Sequence, residues 1–299
     1  MDRLCNTLFG FCLLIPALLV PCLTQAENLN AINARQLMED VYSRHKQYPF
    51  VYEEQSMILS DNHKFRTTRR ARLYTRLDED NTLHFLLVFV APEEIRGISV
   101  LAHRYENGES DQAVYIPALG QRLIKSSPDK SSGNFLGTDF SVESVIGEDL
   151  DSYRYEHHAD IFADGYEYHL VNAYKGASET VHHRHHIRTD NYFICKTEFF
   201  DSQQNVSKLQ TYHDIHRLHE SMWRSNMMLM QDLKQRHESL IKIDQRVFSE
   251  DYVPMEVFSP EWLFANYQYT PDMKEQLEAI PVEDRLEFIF DRDTTTQTP

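Results

Sequence analysis

From Phe50 to Phe248 the chain is written in period two. Apolar and polar residues alternate in short runs, and polar turns such as Asp61-Asn62-His63, Asp78 to Asn81, Thr189-Asp190-Asn191 and Asp201 to Asn205 separate them. Alternation at that period places successive side chains on opposite faces of an extended backbone. It predicts strands at Phe50–Leu59, Lys64–Leu77, Thr82–Val90, Ile98–Tyr105, Ala113–Ile116, Gln121–Lys125, Tyr153–His157, Tyr166–Ala173, Val181–Arg188, Tyr192–Phe200, Ser207–His219, Met222–Leu233 and Glu238–Phe248. The connections are too short for helical crossovers, so the strands pair antiparallel. Thr82–Val90 is apolar on both faces, as a strand covered on both sides would be.

Helical periodicity is confined to a few places. Ala34, Leu37, Met38, Val41 and Tyr42 make one apolar stripe, which predicts a helix over Ala31–Lys46 with Asn30 as its cap and Pro49 beyond its end. A short turn is expected at Ser141–Ile146, capped by Thr138 or Asp139. Pro260-Glu261-Trp262-Leu263 reads as the last ordered turn. Lys274–Ala279 could form one more short helix, and Asp291–Pro299 is polar enough to stay disordered.

The first 26 residues read as a secretory signal. Arg3 precedes an apolar run, Leu8–Leu23, that Pro16 and Pro21 interrupt, and Thr24-Gln25-Ala26 supplies a small-residue cleavage site. Lipidation at Cys22 is the alternative, although Pro21 stands where that signal has a small residue. Cleavage near Ala26 removes Cys5, Cys12 and Cys22. Cys195 then remains alone, no internal disulfide can form, and the fold rests on core burial. Cys195 lies in an apolar run and reads as a small buried hydrophobe. The net charge of -16 excludes a nucleic-acid partner. It also argues against electrostatic adhesion to anionic lipid.

Three constellations stand out. His182-His183-Arg184-His185-His186 resembles a metal tract. On a strand, however, only His183 and His185 share a face closely enough to chelate, and they need partners from elsewhere. The reading adopted is a solvated polar strand face, with no metal site assigned. The Arg66, Arg70 and Arg72 stripe is either an outward face paired with carboxylates or a docking strip for a headgroup or an acidic partner. No nucleophile elbow, phosphate loop or zinc-hydrolase frame occurs, so no catalytic residue is assigned and the chain is read as a non-enzyme. Asn205-Val206-Ser207 is formally a glycosylation sequon.

A set of motifs resembles the LolA-like outer-membrane lipoprotein-sorting proteins, in an uncharacterised branch. These are Phe89-Val90-Ala91-Pro92, Arg96-Gly97, Val114-Tyr115-Ile116-Pro117-Ala118-Leu119-Gly120 and Phe135-Leu136-Gly137-Thr138-Asp139-Phe140-Ser141. Ile187–Tyr192, Glu198–Asp201 and Phe258–Leu263 extend the likeness, which covers about Ala31–Leu263. Thr138 replaces a serine of that pattern, and Ser144 an acidic residue.

The resemblance implies an α+β, mostly β fold. A strongly curved antiparallel sheet forms an unclosed half-barrel, with helices covering its concave side. The domain would span 27–264, followed by an acidic, partly disordered extension, 265–299. It implies a periplasmic carrier or chaperone whose apolar cavity takes lipid or lipoprotein acyl chains, with no cofactor. The alternative is an accessory module of an inner-membrane transporter. Leu73, Phe85, Leu87, Phe89, Val100, Val114, Ile116 and Leu170 are the candidate cavity residues, since they lie on apolar strand faces. Tyr115, Pro117, Phe135, Gly137, Thr138, Asp139 and Phe140 are read as a structural joint. Gly137 would permit an unusual backbone angle, and Phe135 and Phe140 would anchor the joint in the core.

Overall fold

The computed structural model describes residues 32–45, 48–60, 66–126, 134, 137–219 and 221–268. The signal segment, the Cys22 alternative, Lys64, Phe65, Phe135 and the residues after 268 lie outside that set.

Among the described residues, thirteen strands form one antiparallel sheet. They are β1 (Phe50–Ser60), β2 (Arg66–Leu77), β3 (Leu83–Ala91), β4 (Ser99–Arg104), β5 (Ser110–Tyr115), β6 (Leu123–Ser126), β7 (Tyr153–Ala163), β8 (Tyr166–Lys175), β9 (His183–Arg188), β10 (Ile194–Phe200), β11 (Val206–His219), β12 (Met222–Asp232) and β13 (His237–Val247). Their order is β6-β5-β4-β3-β2-β1-β13-β12-β11-β10-β9-β8-β7. The chain runs outward from β1 to β6, crosses to β7 and returns to β13, which closes beside β1. β6 and β7 are the two edges, so the sheet is not a closed barrel.

The sheet curls, and two neighbouring residues show why it must. Arg104 on β4 donates to the carbonyls of Gly147 (2.7 Å) and Glu148 (3.3 Å). The Glu148 carboxylate in turn meets His183 (2.8 Å) and His185 (3.1 Å) on β9. Eight strand spacings separate β4 from β9, roughly 38 Å in a flat sheet. One dipeptide and its side chains bridge that span only if the sheet folds round them.

Each face carries a core. On the inner face, Met57, Ala71, Leu73, Phe85, Leu87, Phe89, Val100, Val114, Met230 and Ile241 form one buried cluster with Phe140 and Val142. Helix α1 (Ala34–His45) and helix α2 (Val142–Ile146) lie over this face. On the outer face, Tyr52, Tyr74, Leu86, Val88, Leu101 and Tyr115 are covered by the C-terminal segment through Val257, Phe258, Leu263 and Tyr267. That segment includes 3-10 turns and helix α3 (Pro260–Asn266), started by Pro260 and capped by Ser259, which accepts from the Trp262 N–H. Leu86 and Val88 face one core while Phe85, Leu87 and Phe89 face the other, which is why β3 is apolar from Phe85 onward.

Several local expectations need correction. α1 begins at Ala34 rather than Ala31, and Asn33 accepts from the Gln36 N–H (3.2 Å); the expected cap, Asn30, lies outside the described residues. α2 is capped by Ser141, which accepts from the Ser144 N–H, and not by Thr138 or Asp139. β7 continues to Ala163 where a strand ending at His157 was expected. Asp164 and Gly165 both have positive φ (50° and 83°) and make the tight hairpin into β8.

Candidate functional site

The crossing from β6 to β7 lays α2 across the mouth of the curled sheet, and both of its ends are pinned. At the N-terminal end Asp139 is buried. Its Oδ2 accepts from Ser239 Oγ (2.7 Å) and His237 Nδ1 (2.7 Å) on β13, while its N–H donates to Ser239 Oγ (3.0 Å). At the C-terminal end Gly147, at φ 89°, closes the helix, and Arg104 holds its carbonyl.

Cavities of about 500, 310 and 210 Å³ adjoin one another round this bridge. The first is lined by Leu83, Phe85, Ala102 and Ile146 together with polar residues of the β4–β5 hairpin. The second lies under α1 and α2. Val41, Val51, Leu73, Ile146, Ile194 and Met228 supply its apolar wall. Its other end is polar: Arg246 Nε donates to Glu53 Oε1 (2.6 Å), and Gln55 Nε2 donates to Glu53 Oε2 (2.7 Å). Gln55 is 1% exposed, yet its Oε1 has no donor among the described residues. Arg224 lines the same end. Burial, with Arg246 adding, lowers its guanidinium to about 10, which leaves it charged at neutral pH.

The third cavity contains Glu148, His183 and His185, respectively 8%, 2% and 5% exposed. The expected solvated face of β9 is therefore wrong for its inner residues. The curl turns them into the interior, and Glu148 supplies the compensating charge. Burial would raise the Glu148 carboxyl, but His185 and His183 outweigh it and hold it well below the usual carboxylate range. Burial also lowers the His185 imidazole, with Glu148 opposing. Tyr155 Oη donates to Glu148 Oε1 (3.0 Å), and that phenol is pushed well up, by burial first and then by the carboxylate. These three residues bring their ligand atoms close enough to hold one metal ion, as do the more exposed His157, Asp160 and His169.

Of the candidate cavity residues, Leu73 lines the 310 Å³ cavity and Phe85 the 500 Å³ cavity. Leu87, Phe89, Val100, Val114 and Ile116 pack into the inner core beneath them. Leu170 is buried on β8, outside that cluster. Sequence reasoning missed Tyr42, Gln55, Glu148 and Arg224. Only Tyr42 carried a signal, the apolar stripe of α1.

Arg66 and Arg70 are exposed, and Arg72 pairs with Glu54 (3.7 Å). All three alternate with Ala71 and Leu73 and so lie on the outer face, away from the cavities. Of the joint residues, Thr138, Asp139 and Phe140 are buried, and Gly137 has φ 74°. Tyr115 Oη donates to the Tyr267 carbonyl (2.8 Å). Pro117 packs against Gly97, where an added Cβ would lie 2.8 Å from both Pro117 Cγ and Tyr267 Cβ. These motif residues fasten the bridge and the C-terminal segment, and Asp139 also lines the 210 Å³ cavity. No helix among the described residues is long and apolar enough to cross a membrane.

A family model described as an uncharacterized protein matches residues 81–264. No curated protein matches the sequence. Among solved structures, an outer membrane lipoprotein-sorting protein domain from Vibrio parahaemolyticus is similar at a TM-score of 0.70 and 21% identity, covering 77% of this chain and 97% of that one. A DUF1329 family protein from Desulfovibrio piger gives 0.66 at 17% identity, covering 76% and 98%. A LolA superfamily protein from Nitrosomonas europaea gives 0.60 at 15% identity, covering 78% and 100%. The chain belongs to the uncharacterised family matched by that model, and its fold is that of the LolA-like outer-membrane lipoprotein-sorting domains.

Proposed function

We propose that this protein is a periplasmic carrier that binds an acyl chain of a lipid or lipoprotein in the interior of its half-barrel. The observation that carries the reading is the 310 Å³ cavity beneath α1 and α2, apolar along Val41, Val51, Leu73 and Met228 and polar at Gln55 and Arg224. Its volume sits at the lower end of ligand pockets, and the adjoining cavities extend it. Each methylene transferred from water into such a wall contributes about 0.8 kcal/mol. The polar end suits an amphiphile rather than a plain hydrocarbon. A donor on the ligand would satisfy Gln55 Oε1, and an acceptor or anion would meet the Arg224 charge.

The LolA-like fold supports the reading, since the Vibrio parahaemolyticus relative bears the name of a lipoprotein-sorting protein. An open cavity favours it over an accessory role at an inner-membrane transporter, for which Arg66 and Arg70 on the outer face would be the docking residues. The test is lipid extraction and mass spectrometry of the mature protein purified from a Gram-negative envelope. Val51 on β1 and Thr75 on β2 both line the cavity, so Val51→Phe and Thr75→Phe, which fill it without emptying the core, serve as controls. One amphiphile per chain in the wild type, lost in both folded variants, is expected. A folded wild type that is always free of lipid would refute the proposal.

A further inference from the structure

We propose that Glu148, His183 and His185 form a binding site for one divalent metal ion of the zinc class, open on one side to the 210 Å³ cavity. Four observations converge on it. The donors come from two distant parts of the chain, the bridge after α2 and strand β9, and they meet at ion-pair distance: Glu148 Oε2 to His183 Nε2 is 2.8 Å and Glu148 Oε1 to His185 Nε2 is 3.1 Å. Both imidazoles turn the same nitrogen inward, and the two Nε2 atoms lie 3.1 Å apart. Ligand atoms about 2.0–2.1 Å from a tetrahedral zinc ion stand only slightly farther apart than this, so the ion enters with a small outward adjustment.

The outer nitrogens are already occupied. His185 Nδ1 lies 2.9 Å from Thr197 Oγ1, and His183 Nδ1 lies 2.8 Å from His182 Nδ1. Each Nδ1, once protonated, has an acceptor in these contacts, and that is the tautomer that presents the Nε2 lone pair to the ion in place of a proton shared with Glu148. The outer partners of metal-bound histidines act in this way. Lastly, two neutral imidazoles and one carboxylate are the set that borderline divalent ions prefer, and hard calcium or magnesium ions do not. Three protein ligands leave a fourth position, which faces the cavity lumen.

The experiment uses the mature chain without a histidine tag, titrated with Zn²⁺ by calorimetry and with Co²⁺ by absorption spectroscopy. One ion per chain and an intense, tetrahedral-type Co²⁺ spectrum are expected. His183→Ala/His185→Ala should abolish both, while His213→Ala/His216→Ala on β11, outside either candidate cluster, should leave both unchanged. Thr197→Val should weaken binding by about 10-fold or more, since it removes only the outer partner. Failure of the wild type to bind one ion would overturn the proposal, as would a weak octahedral Co²⁺ spectrum. So would tight binding that survives the His183/His185 double substitution. If that double variant does not fold, the wild-type Co²⁺ spectrum and the Thr197→Val affinity decide the question.

Discussion

Replacing Asp139 by alanine should loosen the bridge that roofs the cavities. The Asp139 carboxylate can only accept, so both Ser239 Oγ–H and His237 Nδ1–H donate to it, each at 2.7 Å. A hydrogen bond to a charged group contributes about 1.5–3 kcal/mol. The Ser239 bond is buried and takes the upper part of that range, while the His237 ring is about a quarter exposed and takes less. The two together give about 3 kcal/mol, or roughly 10 °C in melting temperature for a domain of this size. Asp139→Asn keeps the shape and one acceptor, so it should cost about half as much. The assay is equilibrium urea unfolding with both variants and Ser239→Ala. The m-value should stay constant, so that the midpoint reports stability alone. The double-mutant cycle between positions 139 and 239 should return a coupling of about 1 kcal/mol or more. An Asp139→Ala cost under about 1 kcal/mol, or additive single effects, would refute the claim that the motif joint is an anchor.

Gly97→Ala adds a Cβ at φ 81° that lies 2.8 Å from Pro117 and Tyr267, so backbone strain and overpacking should together cost about 2–4 kcal/mol by the same unfolding assay. Burial pushes the Cys195 thiol up to about 11, so it should resist thiol reagents at neutral pH until the chain is unfolded; rapid labelling of the native protein would contradict this. Burial and the neighbouring His84 hold His103 below the ordinary histidine value, with Asp111 opposing. The unfolded chain therefore takes up that proton first. The contribution of His103 to stability is full above about pH 6.5 and is lost as the pH falls, which an NMR titration with a midpoint below that value would confirm.

How much of this was legible in the sequence depended on the range of the forces involved. Every strand candidate became a strand, because period two is set by each strand's own two faces. The doubly apolar β3 even announced that both faces of the sheet would be covered. The β7 extension was legible too, in Asp164-Gly165, a pair suited to positive φ that was passed over among polar residues. Helix α1 was read from its stripe, but its start was misplaced because Asn30 and Asn33 offer the same capping chemistry. The inner polar site was not legible in the same way. Alternation says that His183 and His185 share a face; it cannot say that the face turns inward. That follows from curvature accumulated across the whole sheet and from Glu148, 37 residues before His185. Buried imidazoles and a buried carboxylate are tolerable only together, so neither half was interpretable alone. Gln55 carries no sequence signal either, since a polar residue at an inward position looks like an error in the pattern until the cavity beside it is seen.

The central claim is that the interior under α1 and α2 holds an acyl chain, and equilibrium titration of the mature protein with a fluorescent palmitoyl probe tests it most directly. One saturable site per chain is predicted, displaced by unlabelled palmitate and lost in the folded Val51→Phe and Thr75→Phe variants. Absence of saturable binding, or binding that is undiminished when the cavity is filled, would contradict the account.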